Sequence, residues 1–384
     1  MLGGKAGDNA QIIALAEGLG WPFETRRMAY RRTEIVTNLL AGATTAGLVP
    51  EHSDPLEPPW PELVISAGRR NEPLIRWIQQ QAGRENVRLV HVGRPWALHE
   101  CFDLIVTTPQ YRLPEKPNIL QNELPLQRVN PGRLGREAAL WQGRLAHLPK
   151  PHIAVLVGGH AGPYNFDREN GALLGWHASR MAEKLGGSLL VTTSARTPEA
   201  AIDAFAAQLR VPHMLHRFVR FEPEAANPFF AFLGLAQEIV VTSDSMSMLA
   251  EAVATGKPTP IFDLARGRGA NRPPRPADGS IEKRSLKERL ADFRLQAIMY
   301  RIGMHAVPRR LTRDVRIIHE RQVQAGRAVW LGQPWPRDRP APPPLQDLPR
   351  AVRAVSSLFG SSPPPRPVPP ESPWPELVQR VFQG

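Results

Sequence analysis

The chain has 384 residues, 42% of them hydrophobic, which is too long for one typical core and enough for two. A single cysteine, Cys101, excludes an internal disulfide framework, and no run of about eighteen apolar residues marks a membrane span. The net charge of +12 favours anionic partners, but the basic residues are scattered and no zinc-finger or RNA-binding strand pattern occurs, so nucleic acid is not expected.

The opening residues, MLGGKAGDNAQ, lack the pattern of a secretory signal. The expected location is the cytoplasm, with peripheral contact at the inner, anionic face of the membrane. A first helix is predicted over residues 9–19. Ile12, Leu15, Ala16 and Leu19 share a face, Asp8 is placed to cap it, and Gly20 to end it. Short apolar runs then alternate with amphipathic segments, the signature of parallel βαβ units. Strands are expected at 62–67, 87–92 and 102–107, with a helix at 72–81. A basic amphipathic stretch, 133–147, and the Leu148-Pro149-Lys150-Pro151 run read as a connector.

The alternation then restarts. Strands are expected at 153–157, 188–192, 214–218, 239–242 and 259–262, and helices at 168–185, 198–209, 228–235 and 246–254. Past residue 264 a basic, Pro/Gly-rich loop leads to helices at about 281–301 and 312–326. The reading is an α/β chain of two lobes, 1–132 and 152–330, joined by a connector at 133–151. A Pro-rich extended tail covers 331–384.

Three turns lie between a strand and a helix, at the sheet edge where ligands of parallel sheets bind. They are Gly3-Gly4-Lys5-Ala6-Gly7-Asp8, Gly158-Gly159-His160-Ala161-Gly162 and Ser243-Asp244-Ser245-Met246-Ser247. Glycine admits close approach, and the amides and dipole of a following helix favour phosphate. Any one of them, taken alone, also reads as a plain tight turn. Gly256-Lys257 is followed by Pro258, so it is no P-loop, and no dinucleotide fingerprint or D-x-D pair occurs. No cofactor and no metal is expected, and a bound diphosphate would be neutralised by backbone amides and arginines.

Around Glu251 the pattern is more specific. SDSMSMLAEAVATGKP sets a carboxylate on the first helical turns, with Gly256 five and Pro258 seven residues on. It resembles the E-x4-G-x-P element of GT-B glycosyltransferases, among them the N-acetylglucosaminyltransferase that makes lipid II and, more loosely, lipid-A-disaccharide synthase. That resemblance implies that Glu251 accepts hydrogen bonds from nucleotide ribose hydroxyls. A solvated helix residue is the other reading.

GGKAGDNAQ, VISAGRRNEP, FDLIVTTP, LPKPHIAVLVGG, LLVTTSARTP, NPFF and VVTSDSMSMLAEAVATGKP follow one another in this order. The series resembles the mitochondrial-fission family, whose plant founder is named for elongated mitochondria and whose bacterial members are regarded as glycosyltransferases. The resemblance implies two Rossmann-like, GT-B-like lobes facing across a cleft. The chain departs from the family pattern in three places. Members usually carry an apolar strand before the first loop, often His at the position of Asp8, and a D-P-R run at Gly93-Arg94-Pro95.

By that resemblance the N-terminal lobe presents the acceptor. Asp8 is the candidate general base, or else only a helix cap, and Gly4, Lys5 and Arg69 or Arg70 are candidate anion contacts. The C-terminal lobe would bind a nucleotide-sugar donor through Gly158, Gly159, His160, Arg196, Ser243, Ser245, Ser247 and Glu251. Asp244 and Asn227 read as helix caps. The expected function is metal-independent transfer of a sugar to a cell-envelope glycan or lipid-linked acceptor. The alternative is a non-catalytic adaptor, because plant members are associated with recruiting a dynamin-like GTPase, and Pro-rich PPPRPVPP suits an aromatic groove.

Overall fold

A computed structural model describes residues 1–31, 42–219, 226–265, 270–276, 281, 312–336, 340 and 342–360. It divides into two units: Met1–Arg128 together with the segment from Leu345 onward, and Val129–Pro344. Each is a Rossmann-like parallel α/β unit.

In the first unit, four parallel strands stand in the order β1 (Leu63–Ala67), β2 (Arg88–Val92), β3 (Leu104–Thr107) and β4 (Ile119–Gln121). The Met1 amino group donates to the Ile65 carbonyl at 2.7 Å, and Leu2 bridges Arg27 in parallel. Because strand side chains alternate, each face buries its own set. Ile65, Ala67, Val90, Val92, Leu104 and Val106 pack against Ile12, Leu15 and Ala16 of α1 (Ala6–Leu19). On the other face Val64, Leu89 and Ile105 meet Ile75 and Ile78 of α2 (Glu72–Ala82).

The first helix begins three residues earlier than predicted. Lys5 is its N-cap, so Asp8 lies in the first turn and does not cap it, whereas Gly20, at φ 65°, ends it as expected.

The second unit carries six parallel strands ordered β10-β9-β8-β5-β6-β7. In chain order these are β5 (His152–Val157), β6 (Ser188–Thr193), β7 (His213–His216), β8 (Glu238–Thr242), β9 (Pro260–Phe262) and β10 (Val329–Trp330). Its helices are α3 (Pro131–Gln142), α4 (Arg168–Leu185), α5 (Glu199–Ala206), α6 (Phe229–Leu235), α7 (Met246–Ala254) and α8 (Arg316–Gln324). From β5 the chain winds outward through β6 and β7, then returns to β8 on the other side. The C-terminal ends of β5 and β8 therefore flank a topological switch point, the place where such sheets bind ligands. Glycines bring α5 tight against α4, since a Cβ on Gly171 or Gly175 would collide with the Ala201 or Phe205 carbonyl.

Two expectations are corrected. The supposed connector is largely helical: α3 lies on α6, where Gly234 admits Leu134 and Ala138 and Trp141 meets Phe232 edge-on at 6.4 Å. Residues of the supposed tail form α9 (Asp347–Ser356), which packs on the first unit. Leu348, Ala351, Val352 and Val355 follow helical spacing and make one apolar stripe toward α1. The Asp347 carboxylate accepts the Glu123 and Leu124 amides at 2.7 and 3.2 Å. The helix expected at 281–301 lies outside the described residues except for Ile281, as do residues 361–384. The helix expected at 312–326 runs from Arg316 to Gln324.

Candidate functional site

At the switch point of the second unit, the turn after β5 and the turn after β8 are bonded together. The Gly158 amide donates to Thr242 Oγ1 at 2.8 Å and the Gly159 amide to Asp244 Oδ2 at 2.8 Å. Thr242 Oγ1 donates to Asp244 Oδ1 at 2.7 Å. Arg196 Nη2 lies 3.0 Å from Asp244 Oδ2, and Arg196 Nη1 donates to the His160 carbonyl at 3.0 Å. The His160 amide returns a bond to the Arg196 carbonyl at 3.2 Å. Asp244 is fully buried, and burial pushes its carboxyl up while Arg196 and the Gly159 amide pull it down.

This corrects one reading. Asp244 does not cap α7; its oxygens serve Gly159, Thr242 and Arg196. The amides of Gly158 and Gly159 have acceptors within the protein. Both positions also require glycine: a Cβ on Gly158 would collide with the Asp244 carboxylate, and one on Gly159 with the Arg196 carbonyl.

The start of α7 is different. Ser245 is its N-cap without a side-chain cap bond, and the amides of a helix's first turn have no acceptor within the helix. Ser247 lies in that turn and Glu251 four residues on, so the two share a face; both are half-buried. Ser243 is buried and its Oγ accepts the Leu264 amide at 2.9 Å. His160 Nδ1 accepts the Phe166 amide at 3.2 Å, which closes the turn it belongs to. Asn227 Oδ1 accepts the Phe229 amide at 3.0 Å at the start of α6, the capping role expected of it.

In the first unit the glycine loop is held by Asn9, which sequence reasoning overlooked. Its side chain takes the Gly3 amide at 2.9 Å and donates to the Gly3 carbonyl at 2.7 Å. Gly4 and Lys5 are exposed, and Asp8 is half-buried. The Asp8 carboxylate lies beside Gly68, where φ is +76° and an added Cβ would stand 3.2 Å from Asp8 Oδ2. Arg69 stacks over the Trp96 ring at 4.7 Å, a contact on its own unit.

A buried polar group behind this edge was also not foreseen. The Glu72 carboxylate accepts the Trp96 amide at 2.9 Å and the Ala97 amide at 2.8 Å. His91 Nε2 is 3.9 Å from Glu72 Oε1, and His91 Nδ1 is 3.3 Å from Ser66 Oγ. Burial raises Glu72 to about 7 and lowers His91 to about 3. The turn after Gly93 is thus pinned by a carboxylate. A lone glutamate opening a helix carries no sequence signal for that role.

Among the described residues no set of three His, Cys, Asp or Glu side chains converges as metal ligands, and no helix is long and apolar enough to cross a membrane.

The profile of the family described as Mitochondrial fission ELM1 matches residues 6–275. The chain belongs to that family. Among curated proteins similar to this ELM1-family chain, an uncharacterized protein of Rickettsia prowazekii (strain Madrid E) is 23% identical over 289 residues, covering 67% of this chain and 80% of that protein. The mitochondrial fission protein ELM1 of Arabidopsis thaliana is 25% identical over 244 residues, covering 56% of this chain. The match spans 55% of the Arabidopsis protein's length. Two solved structures align loosely, each at 12% identity. One is UDP-GlcNAc 2-epimerase from Neisseria meningitidis bound to UDP-GlcNAc, with a TM-score of 0.34 over 69% of this chain and 76% of that one. The other is spinosyn forosaminyltransferase SpnP, with a TM-score of 0.33 over 84% and 72%.

Proposed function

We propose that the second unit binds a nucleotide-sugar and that the protein transfers the sugar, without a divalent metal, to a hydroxyl of a cell-envelope glycan or lipid-linked acceptor. The observation that carries this reading is the juxtaposition at the β5/β8 switch point. A half-exposed arginine, anchored by a buried carboxylate, stands beside the uncapped start of α7, with Glu251 one turn further on.

The acceptor hydroxyl attacks the anomeric carbon, the bond from that carbon to the diphosphate breaks, and the hydroxyl proton passes to a base. Charge develops on the leaving diphosphate. The Arg196 fork and the first-turn amides of α7 supply donors for it. Glu251 accepts the ribose hydroxyls, as the family-level resemblance implies. Asp8 in the first unit takes the proton, and the exposed Lys5 contacts anionic groups of the acceptor.

A second reading, a scaffold that recruits a protein partner, draws on two observations. The glycine-loop amides are engaged within the protein, and the family carries a fission protein's name. A thermal-shift panel of UDP-, GDP-, CMP- and dTDP-sugars with EDTA present separates the two. The transferase reading expects one of them, at a hundred times its Kd, to add about 2.7 kcal/mol. No shift from any of them at millimolar concentration favours the scaffold.

A further inference from the structure

We propose that Asp244 is a positioning residue that fixes Arg196 so that its guanidinium meets a diphosphate in one set orientation; this rests on the donor site proposed above. Asp244 is completely buried, whereas the Arg196 side chain is 41% exposed. A buried carboxylate is tolerated only when its oxygens are satisfied, and here they are: Oδ1 by Thr242, Oδ2 by Gly159 and Arg196.

The arrangement has one outward-facing member. Guanidinium carries five N–H donors. Nη1 donates one to the His160 carbonyl, and Nη2 is ion-paired with Asp244 at 3.0 Å. An arginine already tethered at both terminal nitrogens loses little rotamer freedom when an anion arrives. Asp244 immediately precedes Ser245, the N-cap position of α7, so the tether also sets the arginine beside that helix start. The pair Gly158-Gly159 follows from this clamp, since a larger residue at either position would drive the carboxylate or the Arg196 backbone away.

Inorganic pyrophosphate, titrated calorimetrically into the full chain with EDTA present, tests the role without a nucleoside. The wild-type protein should bind it, and Arg196→Ala should weaken binding by about tenfold or more. Asp244→Asn keeps an oxygen for the Gly159 amide but loses the charge that holds Nη2, so it should weaken binding by a similar factor. In the Arg196→Ala background, Asp244→Asn should have no further effect. Additive losses would show that Asp244 merely supports the turn, and tighter binding by Asp244→Asn would show that it competes with the anion; either overturns the proposal.

If Asp244→Asn does not fold, Arg196→Lys carries the test. It keeps the charge but not the fork and should bind about fivefold more weakly or worse; wild-type affinity overturns the proposal, as does a wild-type protein that ignores pyrophosphate. The donor-site reading fails separately. If pyrophosphate shows the expected pattern but no nucleoside diphosphate binds more tightly than pyrophosphate, the positioning role stands and the nucleotide assignment falls.

Discussion

Asp8 is the residue on which turnover, as distinct from binding, is expected to depend. It is half-buried beside Gly68, in the unit that does not hold Arg196 and Glu251. Asp8→Asn should leave donor affinity unchanged and lower turnover by about 10²-fold, read from steady-state kinetics once a donor is known. Normal turnover would move the base elsewhere. Glu72 and His91 predict an unusual pH response. Over the window from pH 4.5 to 6.5 the unfolded pair holds one proton, on His91, and the folded pair also holds one, on Glu72. Equal proton counts mean no slope of stability with pH from this pair. Glu72→Gln removes the compensation and leaves a histidine that folding keeps neutral. Stability of that variant should fall on acidification below 6.5 by about 1.4 kcal/mol per pH unit more steeply than wild type. Urea titrations at pH 7, 6 and 5 read this directly, and parallel curves would contradict it. None of these partners was legible in the sequence, because Glu72 meets Trp96 and Gly159 meets Asp244 only through the fold.

Elements with strong local punctuation were read closely. The bounds of α4 match because Asp167 takes the Asn170 amide at its start and Gly186, at φ 62°, closes its end. Residues 119–121 and 329–330 form strands too short for any alternation to register, so β4 and β10 were missed. The helix α9 was missed for a different reason. Prolines on both sides disguised a ten-residue amphipathic segment whose partner, α1, lies more than three hundred residues earlier. Its fit is close: a Cβ on Gly18 of α1 would stand 3.0 Å from Val352 and 3.1 Å from Leu348. Ala351 and Val355 are fully buried there. Val355→Ala should therefore cost about 1–3 kcal/mol in urea denaturation. Ending the chain at Pro344 should destabilise the first unit by more than that. Loss below about 0.5 kcal/mol for Val355→Ala would mean that α9 does not contribute to that core.

At the scale of the whole molecule, the division into two parallel α/β units was legible from the alternation of apolar runs, and the family from the order of its motifs. The boundary was not, because α3 joins the second unit and α9 returns to the first, and both contacts join segments far apart in the chain. The chemistry proposed for the molecule rests on the second unit holding a nucleoside diphosphate with Glu251 on the ribose. Calorimetric titration of the nucleoside diphosphate selected by the thermal-shift panel, into wild type and Glu251→Gln with EDTA present, tests that most directly. Charge-assisted hydrogen bonds are roughly twice as strong as neutral ones, so the variant, folded by circular dichroism, should bind more weakly by about 1–3 kcal/mol. If Glu251→Gln binds the nucleotide as tightly as wild type, the donor site is not where this account puts it.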